Sequence, residues 1–178
     1  ICIMKKILFL DFDGVMALST EWGSRDKKIK KWKLENSGEV GYVNDPKIPA
    51  HIKMDNFNSK AVKVLNDILA LTDAEIVVSS DWKLHCTLEQ LQDMFIKYGV
   101  SKAPIGTTPN HVLKSMDEIE STRVSEITEW LSNHPDVEKW VAIDDLDLSA
   151  LEFFVHTKRM KEGIKQSGIK EQILKILS

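Results

Sequence analysis

Apolar and polar positions along the chain fall into alternating strand-like and helix-like blocks. From Lys6 to Asp11 every interior position is apolar, the pattern of a strand buried on both faces of a parallel sheet. Glu75-Ile76-Val77-Val78-Ser79 and Trp140-Val141-Ala142-Ile143 repeat it, and Phe153 to His156 reads as a fourth strand. Phe57, Val62, Leu65, Ile68 and Leu69 keep helical spacing, with Asn58 or Ser59 able to cap the start. Leu88, Leu91, Phe95 and Ile96 predict a helix over Thr87 to Tyr98 that stops at Gly99. Another runs from Ser121 or Thr122 to Leu131 and ends before Pro135, and Ile169 to Leu177 forms a closing helix. Strands alternating with helices over short connections predict an α/β fold, a three-layer sandwich around a mostly parallel sheet. Val15 to Met54 breaks the rhythm: about forty residues show no sustained periodicity, and a stretch that long is usually functional or mobile.

Composition narrows the class. With 178 residues and 43% hydrophobic content, the chain can bury one ordinary core, so one domain over residues 1–178 is expected. A net charge of −3 gives no global field that would draw it to nucleic acid or membrane. The two cysteines, Cys2 and Cys86, lie far apart, which fits a reduced, cytoplasmic protein better than a disulfide scaffold. No apolar run is long enough for a membrane span.

Candidate chemistry sits where strands end. Asp11 and Asp13 point to the same side of an extended chain, and Gly14 permits a sharp exit that leaves both at the sheet rim. Ser79 and Ser80 close the second apolar strand, and Asp144 and Asp145 close the third. In open α/β sheets ligands bind beyond the carboxyl ends of the strands, so three polar clusters converge on one edge. Four carboxylates from two strands make a hard, all-oxygen environment suited to Mg²⁺. Phosphoryl transfer also needs donors and cations, which Ser79, Ser80 and Arg123 offer, with Lys102 and Lys114 as less well placed rivals. Other classes fail on spacing: no glycine-rich nucleotide loop occurs, Gln92 stands where a cysteine phosphatase would need Arg, and the five histidines lack zinc spacing.

These residues resemble the haloacid dehalogenase (HAD) superfamily of phosphohydrolases. Its first motif looks like Asp11-Phe12-Asp13-Gly14-Val15, its second like Ile76-Val77-Val78-Ser79, its third like Arg123, and its fourth like Val141-Ala142-Ile143-Asp144-Asp145. The run from Phe57 through Ser80-Asp81-Trp82-Lys83 to Trp130-Leu131 looks like the small HAD domains of Swiss army knife RNA-repair proteins, with Lys83 standing where Arg would be expected. The resemblance implies that Asp11 is a nucleophile forming an aspartyl-phosphate and that Asp13 is the acid and base. It implies Mg²⁺ on Asp11, the backbone carbonyl of Asp13, and Asp144 or Asp145. The phosphoryl group would lie among Gly14, Ser79 or Ser80, and Arg123, with Ser79 preferred because it directly follows the apolar run. Residues 15–56 would be a flap or small cap, and the open site would accept a phosphorylated nucleic-acid end, a nucleotide or a sugar phosphate.

A second class competes. The basic run Arg25-Asp26-Lys27-Lys28-Ile29-Lys30-Lys31-Trp32-Lys33, with Trp22, Trp32 and Tyr42 as stacking platforms, fits a non-catalytic module that binds nucleic acid or protein. Its bland counterpart is a solvated, mobile loop. Trp82, Trp130 and Trp140 are expected to serve packing rather than the site.

Overall fold

The computed structural model describes residues 4–36 and 45–178. Its strands are β1 (Lys5–Leu10), β2 (Glu75–Val78), β3 (Gly106–Thr107), β4 (Val137–Asp144) and β5 (Phe154–His156). Its α-helices are α1 (Ser24–Glu35), α2 (Ala50–Lys53), α3 (Ser59–Thr72), α4 (Leu88–Lys97), α5 (Ile119–Ser132) and α6 (Ile169–Leu177). The strands form one parallel sheet in the order β3-β2-β1-β4-β5. The chain builds outward from β1 through β2 to β3, then returns to the other side of β1. Strand order therefore reverses between β1 and β4, where such sheets open a crevice.

Period-two alternation divides the core. Leu8, Leu10, Ile76, Val78, Val141 and Ile143 face α3, α4 and α6, while Ile7, Phe9, Val77 and Ala142 face α5 through Ile127 and Trp130. Trp130 meets Phe9 edge-on at 5.4 Å, and Trp140 meets it at 6.0 Å, so both of these tryptophans pack as expected. Helix starts are written locally. The Asn58 side chain accepts from the backbone N–H groups of Lys60 and Ala61, and Thr87 with Gln90 forms a reciprocal capping box on α4. The four expected strands are present. The short edge strand β3 was not foreseen, and α5 begins earlier than the sequence implied.

The larger correction concerns Val15 to Met54, which is neither structureless nor peripheral among its described residues. Val15, Met16, Ala17, Leu18, Ile48, Ala50 and Met54 are buried, and α1 and α2 occupy the middle. The basic run is helix α1 rather than a loop. That helix buries none of its residues and has no apolar stripe to show in the sequence. It is held by polar contacts instead. Lys28 Nζ donates to the carbonyls of His51 (2.6 Å) and Met54 (2.5 Å), to Asn56 Oδ1 (2.8 Å) and to the Tyr98 hydroxyl (3.0 Å). Asp55 caps the first turn of α1 from outside, its Oδ1 accepting from Arg25 N at 3.0 Å and Ser24 Oγ at 3.3 Å. Tyr42 lies outside the described residues. No helix among the described residues is long and apolar enough to cross a membrane.

Candidate active site

Parallel pairing of β1 with β4 carries Asp11 and the Asp144-Asp145 pair to neighbouring strand ends. One carboxylate oxygen from each of Asp11, Asp144 and Asp145 lies within 4.8 Å of the others. Asp11 and Asp144 are buried and Asp145 is half-buried. Arg123 enters from α5, itself buried, and ties the group together. Its Nη1 lies 2.6 Å from Asp144 Oδ2 and 3.3 Å from Asp11 Oδ1, and its Nη2 lies 3.0 Å from Asp81 Oδ1. Burial alone would weaken the guanidinium's charge, but Asp11, Asp144 and Asp81 outweigh it and hold the proton more firmly. The carboxyls behave oppositely. Burial first, and then Asp144, push Asp11 up; burial also raises Asp144, against the pull of Arg123; burial and then Asp11 raise Asp145.

The turn after β1 makes this approach possible. The Phe12 carbonyl accepts from the N–H groups of Val15, Met16 and Ala17, winding the chain tightly, and Gly14 sits at φ 75°. A Cβ on Gly14 would meet Asp145 Oδ2 at 2.7 Å, so this position excludes a side chain both by conformation and by contact. The Asp13 side chain stands apart from the three clustered carboxylates. Its Oδ2 accepts from Trp82 Nε1 at 3.0 Å, and partial desolvation raises its pKa despite that hydrogen bond. The Ser79 N–H donates to the Leu10 carbonyl at 3.1 Å, continuing the β1–β2 pairing toward Asp11. Ser80 has a local task. Its Oγ accepts from Trp82 N at 3.4 Å and caps the 3-10 turn Asp81–Leu84.

A family model described as the HAD domain in Swiss Army Knife RNA repair proteins matches residues 7–167. The chain belongs to that family. The matched range includes Asp11, Arg123, Asp144 and Asp145. No curated protein and no solved structure matches the chain.

The fold brings Asp11, Asp144, Asp145 and Arg123 together and sets Asp13 on the adjoining rim. It removes the rival cations: Lys102 pairs with Asp73 at 2.7 Å and lies near Glu75 at 3.6 Å, by the opposite end of β2, and Lys114 is exposed. Trp82 packs against the core as expected, and its indole N–H in addition donates to Asp13. Four further residues, Asp81, Lys83, Glu126 and Thr108, escaped the sequence reading of the site. Asp81 pairs with Arg123, and Lys83, where Arg was anticipated, is buried with Nζ 2.5 Å from Glu126 Oε2 and 2.9 Å from Thr108 Oγ1. The available signal was the acidic and basic residues directly after Ser80, at the same strand end as the serines. Of the basic run, Lys28 is used inside the fold, whereas Lys27, Lys30, Lys31 and Lys33 are exposed.

The donor set fits a divalent metal. Asp11, Asp144 and Asp145 face one directly paired cation, Arg123, which leaves about two negative charges uncompensated in a poorly solvated place. Hard carboxylate oxygens are the ligands Mg²⁺ prefers. Both oxygens of Asp144 are engaged, by Arg123 Nη1 and by Leu146 N at 2.9 Å, so Asp145 is the less committed of the pair.

Proposed function

We propose that the protein is a Mg²⁺-dependent phosphomonoesterase working through an aspartyl-phosphate. The observation that carries this reading is the separation of carboxylates: Asp11, Asp144 and Asp145 clustered, the first two paired with Arg123, and Asp13 held nearby by Trp82. Asp11, Asp145 and the Asp13 carbonyl are the proposed metal ligands, with Asp144 orienting Arg123. Mg²⁺ bound there would offset the excess negative charge and polarise the phosphoryl oxygens. An Asp11 oxygen attacks phosphorus while the bond to the leaving oxygen breaks, and Asp13 gives that oxygen its proton. Asp13, now ionised, takes a proton from water as the water oxygen attacks phosphorus. The Asp11–phosphorus bond breaks, releasing inorganic phosphate and restoring the Asp11 carboxylate. A raised pKa suits Asp13 to this exchange. Arg123 and Ser79, beside Gly14, hold the phosphoryl oxygens, while Ser80 shapes the turn.

Membership of a family of RNA-repair HAD domains supports a phosphorylated nucleic-acid end or nucleotide as substrate. The exposed lysines of α1 give a polynucleotide a place to lie. The purified protein should release phosphate from an aryl phosphate and from 3′- or 5′-phosphorylated oligonucleotides with Mg²⁺, stop with chelator, and stop in Asp11→Asn. No turnover, together with RNA binding lost on neutralising Lys27, Lys30 and Lys31, would favour the binding-module alternative.

A further inference from the structure

Beside Asp13 lies a cleft of about 510 Å³ lined by Asp13, Trp22, Gly23, Arg25, Asp26 and Asp55. Its volume is within the range of small-molecule sites. Trp22 is 46% exposed, yet its indole N–H donates to the Ala17 carbonyl at 3.2 Å, so one edge of the ring is anchored. A tethered aromatic surface left in water is unfavourable for the fold and favourable for a flat ligand. The cleft is not a phosphate site. With Asp13 protonated as the proposed acid, it still carries two carboxylates, Asp26 and Asp55, against the single guanidinium of Arg25, which sits 5.5 Å from the Trp82 ring. Asp55 is committed to the start of α1, so it cannot swing away to admit an anion.

We propose that this cleft is the leaving-group subsite: it takes a neutral, ring-bearing group such as the nucleoside of a monoester, stacked on Trp22, and disfavours a second phosphate. The proposal rests on the phosphatase reading. If Asp13 protonates the leaving oxygen, the group attached to that oxygen must lie within reach of Asp13, and the cleft is the space at that carboxylate. The phosphoryl group occupies the Arg123 side and the nucleoside the Trp22 side. Trp22 and Asp26 then set specificity without touching the phosphorus.

The test compares kcat/KM for adenosine monophosphates (3′ and 5′), adenosine diphosphate and glycerol phosphate with Mg²⁺, in wild type, Trp22→Ala and Asp26→Asn. Wild type should prefer at least one adenosine monophosphate to both the diphosphate and glycerol phosphate. Trp22→Ala should lower the ratio of that monophosphate to glycerol phosphate about tenfold or more, the scale of one base–aromatic stack. Asp26→Asn should narrow the gap between monophosphate and diphosphate. Turnover that depends on Asp11 but shows the same ratios in Trp22→Ala would overturn the subsite and leave the phosphatase standing. So would a wild-type preference for the diphosphate. Absence of turnover on every substrate would remove both.

Discussion

Asp145→Asn should make the metal-free protein more stable at pH 8 and insensitive to Mg²⁺. Burial and Asp11 raise the Asp145 pKa from 3.8 to about 6. A carboxyl whose folded pKa exceeds its unfolded value binds its proton more tightly in the fold. The fold therefore loses stability as pH rises between 3.8 and about 6, and the loss is complete at pH 8. At full strength that rise corresponds to about 3 kcal/mol. Solvent reaches part of Asp145 and screens the repulsion, which leaves about 1–2 kcal/mol. Relief of that cost by Asn should raise the melting temperature at pH 8 by about 2–8 °C for a chain of this size, and by almost nothing near pH 4. Mg²⁺ at a hundredfold excess over its Kd should stabilise wild type by about 2.7 kcal/mol at pH 8, less at pH 5 where protons compete, and the variant hardly at all. Thermal unfolding at the three pH values, with Mg²⁺ or with chelator, measures every term. If Asp145→Asn is less stable than wild type without metal at pH 8, or gains as much from Mg²⁺, Asp145 is not a charge-limited metal ligand.

Other substitutions probe the surrounding frame. Gly14→Ala forces a Cβ to 2.7 Å from Asp145 Oδ2 at φ 75°, and should cost about 1–3 kcal/mol and weaken the Mg²⁺ stabilisation in the same melts. Lys83→Met leaves Glu126 buried without its cation and should cost about 3 kcal/mol in urea unfolding, most of it regained in Lys83→Met/Glu126→Leu. Lys28→Met removes the ammonium that four oxygens share; amide exchange within Ser24–Glu35 should rise about tenfold while β1 and β4 stay protected.

The sheet was readable because its strands are covered on both sides, which makes them apolar at nearly every position and makes the aspartates at their ends conspicuous. Asn58 and Thr87 likewise announced helices through chemistry confined to a few neighbouring residues. Helix α1 was not readable, since Lys28 and Asp55 dock it by contacts between residues more than twenty positions apart. The same limit hid Trp82, whose hydrogen-bond partner Asp13 is 69 residues away in sequence. Ser79 and Ser80 look alike as a dipeptide, and only the turn that follows shows that one continues the strand and the other caps. Strand β3 is two residues long, too short to carry a period.

Helix α1 buries none of its residues and is fastened to the body by a lysine and an aspartate rather than by an apolar seam. Under the leaving-group subsite proposed above, stability and selectivity are written in different residues. The outward positions of α1, and Trp22 just before it, can drift or be redesigned while the sheet and its aspartates keep their sequence. New substrate preferences are then reachable by small steps through folded intermediates, and a library confined to Trp22, Asp26, Lys27 and Lys30 is the economical place to look for them.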